Sequence, residues 1–390
     1  MVMEKFTLVR AACAGYSGEM DTTSDLEIFL VAPPGLEPTL CAEAIEKGFA
    51  EPTPGPGGVT LRGDWPEVWR ANLELRGAAR VLVRVGGFRA FHLAQLDKRA
   101  RKFPWRDVLR PDRPLHVEVT CRKSKIYHAG AAAQRIERAI SDVAGVPISA
   151  EAEVRLLARI DDNLVTFSVD TSGEPLHRRG HKQAVGKAPM RENLAALFLR
   201  ECGYRGDEPV VDPMCGSGTF VIEAAEIAAG LHPGRSRRFA FEDLATFDAS
   251  AWQAMRAAQP VAPPPHRFFG FDRDAGAIKA SRENAERAGV ADVIAFAQQP
   301  VSDLTPPDGP PGLVIVNPPY GGRIGNRKLL FALYGRMGEI LRERFRGWRV
   351  GIVTSDAGLA RSTGLPFAPD GPKVPHGSLK VQLFRAGPLP

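Results

Sequence analysis

No apolar run in this chain is long enough to cross a bilayer, which excludes a transmembrane helix. Residues 1–20 contain no uninterrupted apolar core, because Arg10, Tyr16 and Glu19 break it. The first 24 residues therefore read as a disordered tail rather than a signal peptide, and either Met1 or Met20 could start translation. The five cysteines (Cys13, Cys41, Cys121, Cys202, Cys215) are widely separated and form no C-x-x-C pair. That argues against a zinc site or a disulfide framework and for a reducing, cytoplasmic setting. There is no internal repeat. What remains is ordinary globular material, with 44% apolar and 25% charged residues in a chain of 390, enough for two or three domains.

Charge is unevenly placed. Between Arg76 and Arg138 there are 16 Lys and Arg against 5 Asp and Glu; with a net charge of +6, this leaves −5 for the rest. Taken alone, this bias reads better as a solvated surface. The order of the residues shifts the reading toward a polyanion partner. In "DKRARKFPWRDVLRPDR" the cations Lys98, Arg99, Arg101 and Lys102 interleave with Phe103 and Trp105, and Arg122, Lys123 and Lys125 follow in "CRKSKIYHAG". Cations beside aromatic faces suit phosphate contact with base stacking, although each aromatic taken alone reads better as core.

Three zones follow along the chain. From Asp25 to about Arg89, short strands alternate with short helical stretches. The next zone, to Asp170, is a basic helix-like stretch, then the strand "LHVEVTC", the helix "GAAAQRIERAISDVAG" and the strands "EVRLLARI" and "NLVTFSVD", joined at "IDDN" by a hairpin turn. After Val185 each strand is followed by a helix, which predicts a mostly parallel sheet covered on both faces. The ending "GSLKVQLF" reads as a strand added at an edge.

Chemistry gathers at the ends of these later strands. In "VDPMCGSGTFVIEAA" the apolar strand stops at Asp212, and Gly216 and Gly218 let a ligand lie against the backbone where a helix begins. No lysine follows the glycines, so this is no triphosphate loop, and the preceding acid suits a positively charged adenosyl compound. A bare turn is the competing reading. In "RFFGFDRDAGAIKASRENAERAG", Asp272 ends the second strand, placed to accept from ribose hydroxyls, while Asp274 reads as the helix N-cap and Gly289 as its close. In "VIVNPPYGGRIG", Asn317 precedes two stiff prolines, so its side-chain oxygen and the Pro318 carbonyl can face one amine, with Tyr320 placed to stack on a base.

These residues resemble the class I S-adenosylmethionine-dependent methyltransferases that modify nucleobase amino groups. "DPMCGSGTFVIEAA", "VNPPYGGRIG", "SGEPLHRRGHK" and "HGSLKVQLF" are similar to the THUMP-containing guanine-N2 RNA methyltransferases, above all the bacterial large-subunit (23S) rRNA enzymes. "RRFAFEDLATFDASAW" looks like that family's insertion. The resemblance implies an α/β fold, with a Rossmann-like, mostly parallel methyltransferase sheet preceded by an α+β ferredoxin-like and THUMP module. It implies a ferredoxin-like segment at 25–96, a THUMP RNA-binding domain at 97–170, a linker at 171–186 and the methyltransferase domain at 187–390. Asp212, Pro213, Cys215, Gly216, Ser217, Gly218 and Thr219 would line the methionine part of S-adenosylmethionine, and Asp272 would hold its ribose. Asn317, Pro318, Pro319 and Tyr320 would hold the target guanine, with Asn317 also bordering the cofactor. Where the family often has an acid near the adenine amine this chain has Pro300, so Gln299, a backbone group or Asp303 would substitute. The implied partner is RNA, 23S rRNA first and tRNA as the alternative, for a monomer without metal or membrane attachment. A DNA adenine-N6 enzyme and a non-catalytic RNA-binding protein are the remaining alternatives.

Overall fold

A computed structural model describes residues 26–183, 190–259, 261–320, 327–369 and 371–390. The expected tail, the last residues of the expected linker and the Gly-Gly-Arg-Ile-Gly stretch after Tyr320 lie outside the described residues.

The amino-terminal half comprises β1 (Leu26–Val31), α1 (Glu37–Glu46), β2 (Thr53–Gly55), β3 (Gly58–Gly63), α2 (Trp65–Glu74), β4 (Arg80–Arg89), α3 (Leu93–Ala100), β5 (Leu115–Arg122), α4 (Ala129–Ala144), β6 (Val154–Asp161) and β7 (Leu164–Asp170). The strands form one seven-stranded sheet in the order β2-β3-β1-β4-β7-β6-β5. Segments 25–96 and 97–170 therefore share a sheet, because β4 runs on to Arg89 and pairs antiparallel with β7. The β6–β7 turn is the expected hairpin: Asp162 (φ 49°) and Asn163 (φ 61°) both adopt the left-handed conformation that a two-residue loop between twisted strands requires. Helix α4 closes at Gly145, whose φ of 74° suits a residue without Cβ.

The second half comprises α5 (Glu192–Glu201), β8 (Val210–Asp212), α6 (Thr219–Ala228), α7 (Ala249–Ala257), β9 (Phe268–Asp272), α8 (Ala275–Ala288), β10 (Ile294–Gln298), β11 (Leu313–Val316), α9 (Arg327–Arg344), β12 (Arg349–Thr354), α10 (Ala357–Ser362), β13 (Lys373–His376) and β14 (Leu379–Ala386). Its sheet has the order β10-β9-β8-β11-β12-β14-β13, and the first five of these strands are mutually parallel. Burial on both faces explains their unbroken apolar runs; Leu313 to Val316 are fully buried. The chain leaves β8 toward β9 and β10, then returns to its other side at β11. This reversal opens a crevice at the carboxyl ends of β8 and β11. The closing strand departs from its expected edge position. β14 lies inside, antiparallel to β12, because the segment before it folds back as β13 and takes the edge.

The expected linker is a buried clamp rather than a free connector. Thr171 donates its hydroxyl to Val81 O (2.7 Å), and Ser172 donates to Asn72 Oδ1 (2.7 Å). Arg179, 2% exposed, donates through Nε to Glu223 on α6 (3.0 Å). Arg76, from the amino-terminal half, reaches Glu223 (2.8 Å) and Glu226 (3.1 Å) on the same helix. The segment resembling the family's insertion packs Phe241 and Phe247 against Trp69 of α2. Apolar packing and buried ion pairs thus join the halves at the helix that follows the glycine loop.

Candidate active site

The short strand β8 delivers Asp212 to the crevice, and a tight loop turns the chain into α6. Two left-handed residues make that turn, Gly216 (φ 54°) and Gly218 (φ 82°). A Cβ on Gly216 would meet no atom of the described residues within 4 Å, so this position offers space that a ligand can fill. At Gly218 the same atom would crowd Ile222 and Ser281 at 3.1–3.2 Å. The loop is held from the next strand: Cys215 N–H donates to Phe271 O (2.8 Å), and Gly216 N–H donates to Asp272 Oδ2 (3.0 Å). Asp272 Oδ1 accepts from Asp274 N–H (2.9 Å). A carboxylate has about four acceptor sites, so Asp272 keeps capacity for hydroxyl donors. Asp274 caps α8 through Gly276 N–H (2.7 Å), as its sequence position predicts.

Two residues of α8 that the sequence reading did not single out support the loop from below. Ser281 Oγ donates to Gly216 O (2.7 Å), and Asn284 Nδ2 donates to Ser217 O (3.0 Å); both side chains are fully buried. Their signal was available as two small polar residues on the helix face that also carries Ile278 and Ala288, where apolar residues belong.

Electrostatics distinguish the two carboxylates. Asp212 is 2% exposed and accepts from Met214 N–H (3.1 Å). Burial, reinforced by the Asp272 charge, pushes its pKa well above the ordinary carboxylate range. A cation arriving beside it would relieve that cost. Cys215 is likewise pushed up by burial and by the Asp212 charge, so it stays a neutral thiol and packs rather than reacts. Pro213, Ser217 and Thr219 are buried in the loop and the first turn of α6.

The neighbouring strand β11 ends at Asn317. Its Oδ1 is buried and has no hydrogen-bond partner among the described residues. Such an orphaned acceptor costs stability unless a donor arrives, which marks it as a position awaiting one. Pro318 is buried, and Pro319 O accepts the Tyr334 hydroxyl (3.4 Å), fixing the turn. Tyr320 is 8% exposed, so in this conformation its ring offers little face for stacking. Asp303 lies exposed on a single turn after β10, and its described contacts are with Ser302 Oγ and Pro300 O.

On the amino-terminal half, Lys98, Arg99, Lys102, Arg122, Lys123 and Lys125 are exposed. Arg101 differs: ion pairs to Asp97 (3.0 Å) and Asp142 (2.8 Å) already engage its guanidinium. Phe103 and Trp105 are core, packed edge-on against Phe167, because α3 and the turn after it fold onto the sheet. Their interleaving with cations therefore makes no stacking surface. The aromatics beside the cations are instead Tyr127, 84% exposed, and Phe91, whose ring lies 5.6 Å from Lys125 Nζ. Lys125 N–H donates to Asn163 Oδ1 (2.9 Å), which pins this loop to the β6–β7 turn.

Comparison with known proteins agrees with this geometry. Residues 179–365 match the family model described as RMKL-like, methyltransferase domain, and residues 27–82 match the RlmL ferredoxin-like domain. The ribosomal RNA large subunit methyltransferase K/L of Marinomonas is 34% identical over 91% of this chain and 52% of its own length. A putative RNA methyltransferase of Synechocystis is 30% identical over 92% of this chain and 95% of its own. The chain spans about half the length of the curated K/L relatives it matches. Among solved structures, a predicted N6-adenine-specific DNA methylase from Listeria monocytogenes superposes with a TM-score of 0.81 at 30% identity, covering 94% of this chain and 97% of that one. SMU.472, a putative methyltransferase complexed with SAH, gives a TM-score of 0.81 at 28% identity over 93% and 98%. With a ferredoxin-like module, a Rossmann-like sheet, a glycine loop held by Asp272 and a buried acceptor left unpaired among the described residues at Asn317, the chain belongs to the RMKL-like methyltransferase family.

Proposed function

We propose that this chain transfers a methyl group from S-adenosylmethionine to the exocyclic N2 of a guanine in RNA, with large-subunit (23S) rRNA as its substrate. The observation that carries the reading is the buried, unpartnered Oδ1 of Asn317 at the end of β11, the strand beside β8 and its Asp212. The guanine amine is a poor nucleophile because its lone pair is delocalised into the ring. Asn317 Oδ1 and the Pro318 carbonyl, accepting its two hydrogens, favour a pyramidal nitrogen with the lone pair turned outward. Holding that amine in line is the main contribution required of the protein. When bound, S-adenosylmethionine supplies a methyl group already activated by its sulfonium. No strong base is needed, since the amine proton can leave after transfer.

The loop residues fit this cofactor. Asp212, Pro213, Cys215, Gly216, Ser217, Gly218 and Thr219 would surround the methionine part, with the raised Asp212 carboxyl answering its positive charge. Asp272 would take the ribose through its remaining acceptor sites. The SAH bound to SMU.472, the demethylated product of this cofactor, supports the assignment. Residues 97–170 would act as the THUMP RNA-docking domain, using Lys98, Arg99, Lys102, Arg122, Lys123 and Lys125 against phosphates. The target guanine must leave its stack to reach Asn317. The names of the K/L relatives support large-subunit rRNA as the substrate. The acceptor pair reads an amine rather than a base, so adenine N6 in DNA, the activity named for the Listeria neighbour, is the second reading.

The test is methylation by the purified chain, using isotope-labelled S-adenosylmethionine with unmodified 23S rRNA, tRNA and DNA. The nucleosides are then resolved by mass spectrometry. N2-methylguanosine in 23S rRNA is expected. Label only in tRNA would overturn the substrate assignment, and label in N6-methyladenine would overturn the base assignment.

A further inference from the structure

The closing motif "HGSLKVQLF" has no part in the chemistry above, yet its place in the fold is specific. Strand β14 pairs with β12 only as far as Gln382, opposite Thr354 at the carboxyl end of β12. Leu379, Lys380 and Val381 continue past that end, paired only with Val374, Pro375 and His376 of β13. The hairpin therefore overhangs the crevice end of the sheet by on the order of 10 Å. Asn317 stands at the same end, and only β12 separates its strand from the hairpin.

A second element lies at the same end of the sheet. Asp356, just past β12, caps α10 and pairs with Arg327 at 3.2 Å, which places the first turn of α9 at this end. Arg327 is 73% exposed on its side chain, so its ion pair is weak and open to exchange. Lys373 and Lys380 on the hairpin are exposed, and no acidic residue lies between Gly371 and Pro390. In α9 the first acid is Glu339. Two exposed leucines accompany these cations, Leu379 on the hairpin and Leu329 on α9. Cations set beside apolar faces at the mouth of an amine-binding site are complementary to phosphates and unstacked bases, and the arrangement carries no base-specific donors.

We infer that the β13–β14 hairpin and the first turn of α9 form a jaw that grips the single-stranded RNA on either side of the target guanine. This rests on the RNA reading of Asn317. Lys373, Lys380 and Arg327 hold the flanking phosphates, and Leu379 and Leu329 pack against the sugars and bases exposed when the target leaves its stack. The jaw is separate from the basic patch around Lys123 and Lys125. That patch sets overall affinity, whereas the jaw seats the nucleotide.

The test uses the full-length K373E/K380E variant with two probes, a short mixed-sequence single-stranded RNA and an unmodified 23S rRNA transcript. Affinity for S-adenosylmethionine should be unchanged, since neither lysine touches the 212–219 loop. The salt slope for the short RNA should shrink by about 1.4, two contacts at about 0.7 each. Single-turnover methylation of the transcript at saturating RNA should fall at least tenfold. Wild-type slope and rate in K373E/K380E would overturn the jaw and leave the hairpin to a protein partner. A reduced slope in a protein whose wild type methylates no RNA would keep the RNA contact and overturn the reading of Asn317 instead.

Discussion

The carboxylate of Asp272 accepts the backbone N–H of Gly216 at 3.0 Å, so the end of one strand holds the loop that follows its neighbour. The same carboxylate is the proposed ribose acceptor, and the two roles can be separated. Asp272→Ala should weaken S-adenosylmethionine binding by about 1.5–3 kcal/mol, the usual worth of hydrogen bonds to a charged group. It should also lower the melting temperature of the ligand-free protein, because the Gly216 amide loses its partner. Asp272→Asn keeps an acceptor for that amide, so it should restore the melting temperature without restoring affinity. Calorimetry showing full affinity in the alanine variant would remove Asp272 from the site.

Asp212 makes the opposite prediction for stability. Its carboxyl titrates near about 3.9 in the unfolded chain and higher in the folded one, where burial is the first cause. The stabilisation linked to this shift is complete below the unfolded value and is lost as pH rises through the folded value. At neutral pH the unfolded chain ionises this carboxyl freely while the nearly dry native site resists it, so Asp212 burdens the empty protein. Asp212→Asn should therefore melt higher than wild type at pH 7 to 8, and the two curves should converge in acid. Cofactor affinity should nevertheless fall, since the cationic ligand loses its counter-charge. Thermal melts across pH in the absence of ligand check the first point; equal melting at pH 8 would mean that the native site does not raise the Asp212 pKa.

The join between the halves carries a third prediction. Arg76 and Glu223 lie 147 residues apart in sequence yet form a buried ion pair. Burial opposes ionisation of Glu226, but Arg76 foremost, with His181 and Arg235, holds its pKa down to about 2. Its stability contribution is complete above about 4.3 and lost as pH falls toward the folded value. Removing Arg76 takes one cation from two carboxylates on α6, while Glu223 keeps Arg179 and Glu226 keeps Arg235. Arg76→Ala should therefore destabilise at pH 7 by less than about 3–5 kcal/mol, the cost of a buried charge left with no partner. A fragment beginning at residue 185 lacks both Arg76 and Arg179. It should melt well below the full chain, and Glu223→Gln with Glu226→Gln should recover part of the loss. A fragment as stable as the whole protein would show the clamp to be dispensable.

The sequence displays what is local. The β6–β7 hairpin follows from Asp162 and Asn163, the cap of α8 from Asp274, and the parallel sheet from unbroken apolar runs such as Leu313–Val316. Partnerships set by tertiary packing are not legible in the same way. Nothing near Arg76 announces Glu223, and no periodicity places β14 inside β13. Phe103 and Trp105, each better read as core when taken alone, are core: the sheet buries them against Phe167, and the exposed aromatic beside the cations is Tyr127, which the pattern of interleaving did not point to. At the crevice the strand ends were readable because Asp212, Asp272 and Asn317 each terminate an apolar run. Ser281 and Asn284 were missed because their role depends on which loop lies above their helix.

The last prediction separates chemistry from binding at Asn317. Its Oδ1 is buried without a donor in the empty protein, so Asn317→Ala removes an unsatisfied acceptor and should not destabilise the fold through a lost hydrogen bond. The amine, however, loses one of its two acceptors. Turnover should fall by about 10²–10³, as for other donors and acceptors that act in the transition state, while affinities for RNA and cofactor change little. Tyr320 should behave otherwise. Its ring is mostly buried, so Tyr320→Ala should lower stability, and if the ring turns outward to stack when RNA binds, it should also weaken capture of the flipped base by about 1–3 kcal/mol. If stacking and packing are its whole role, Tyr320→Phe should be nearly silent. Single-turnover methyl transfer at saturating RNA and cofactor decides between these outcomes. A wild-type rate in Asn317→Ala would make the Asn-Pro-Pro turn a structural feature and shift the search for the amine acceptor to backbone carbonyls alone.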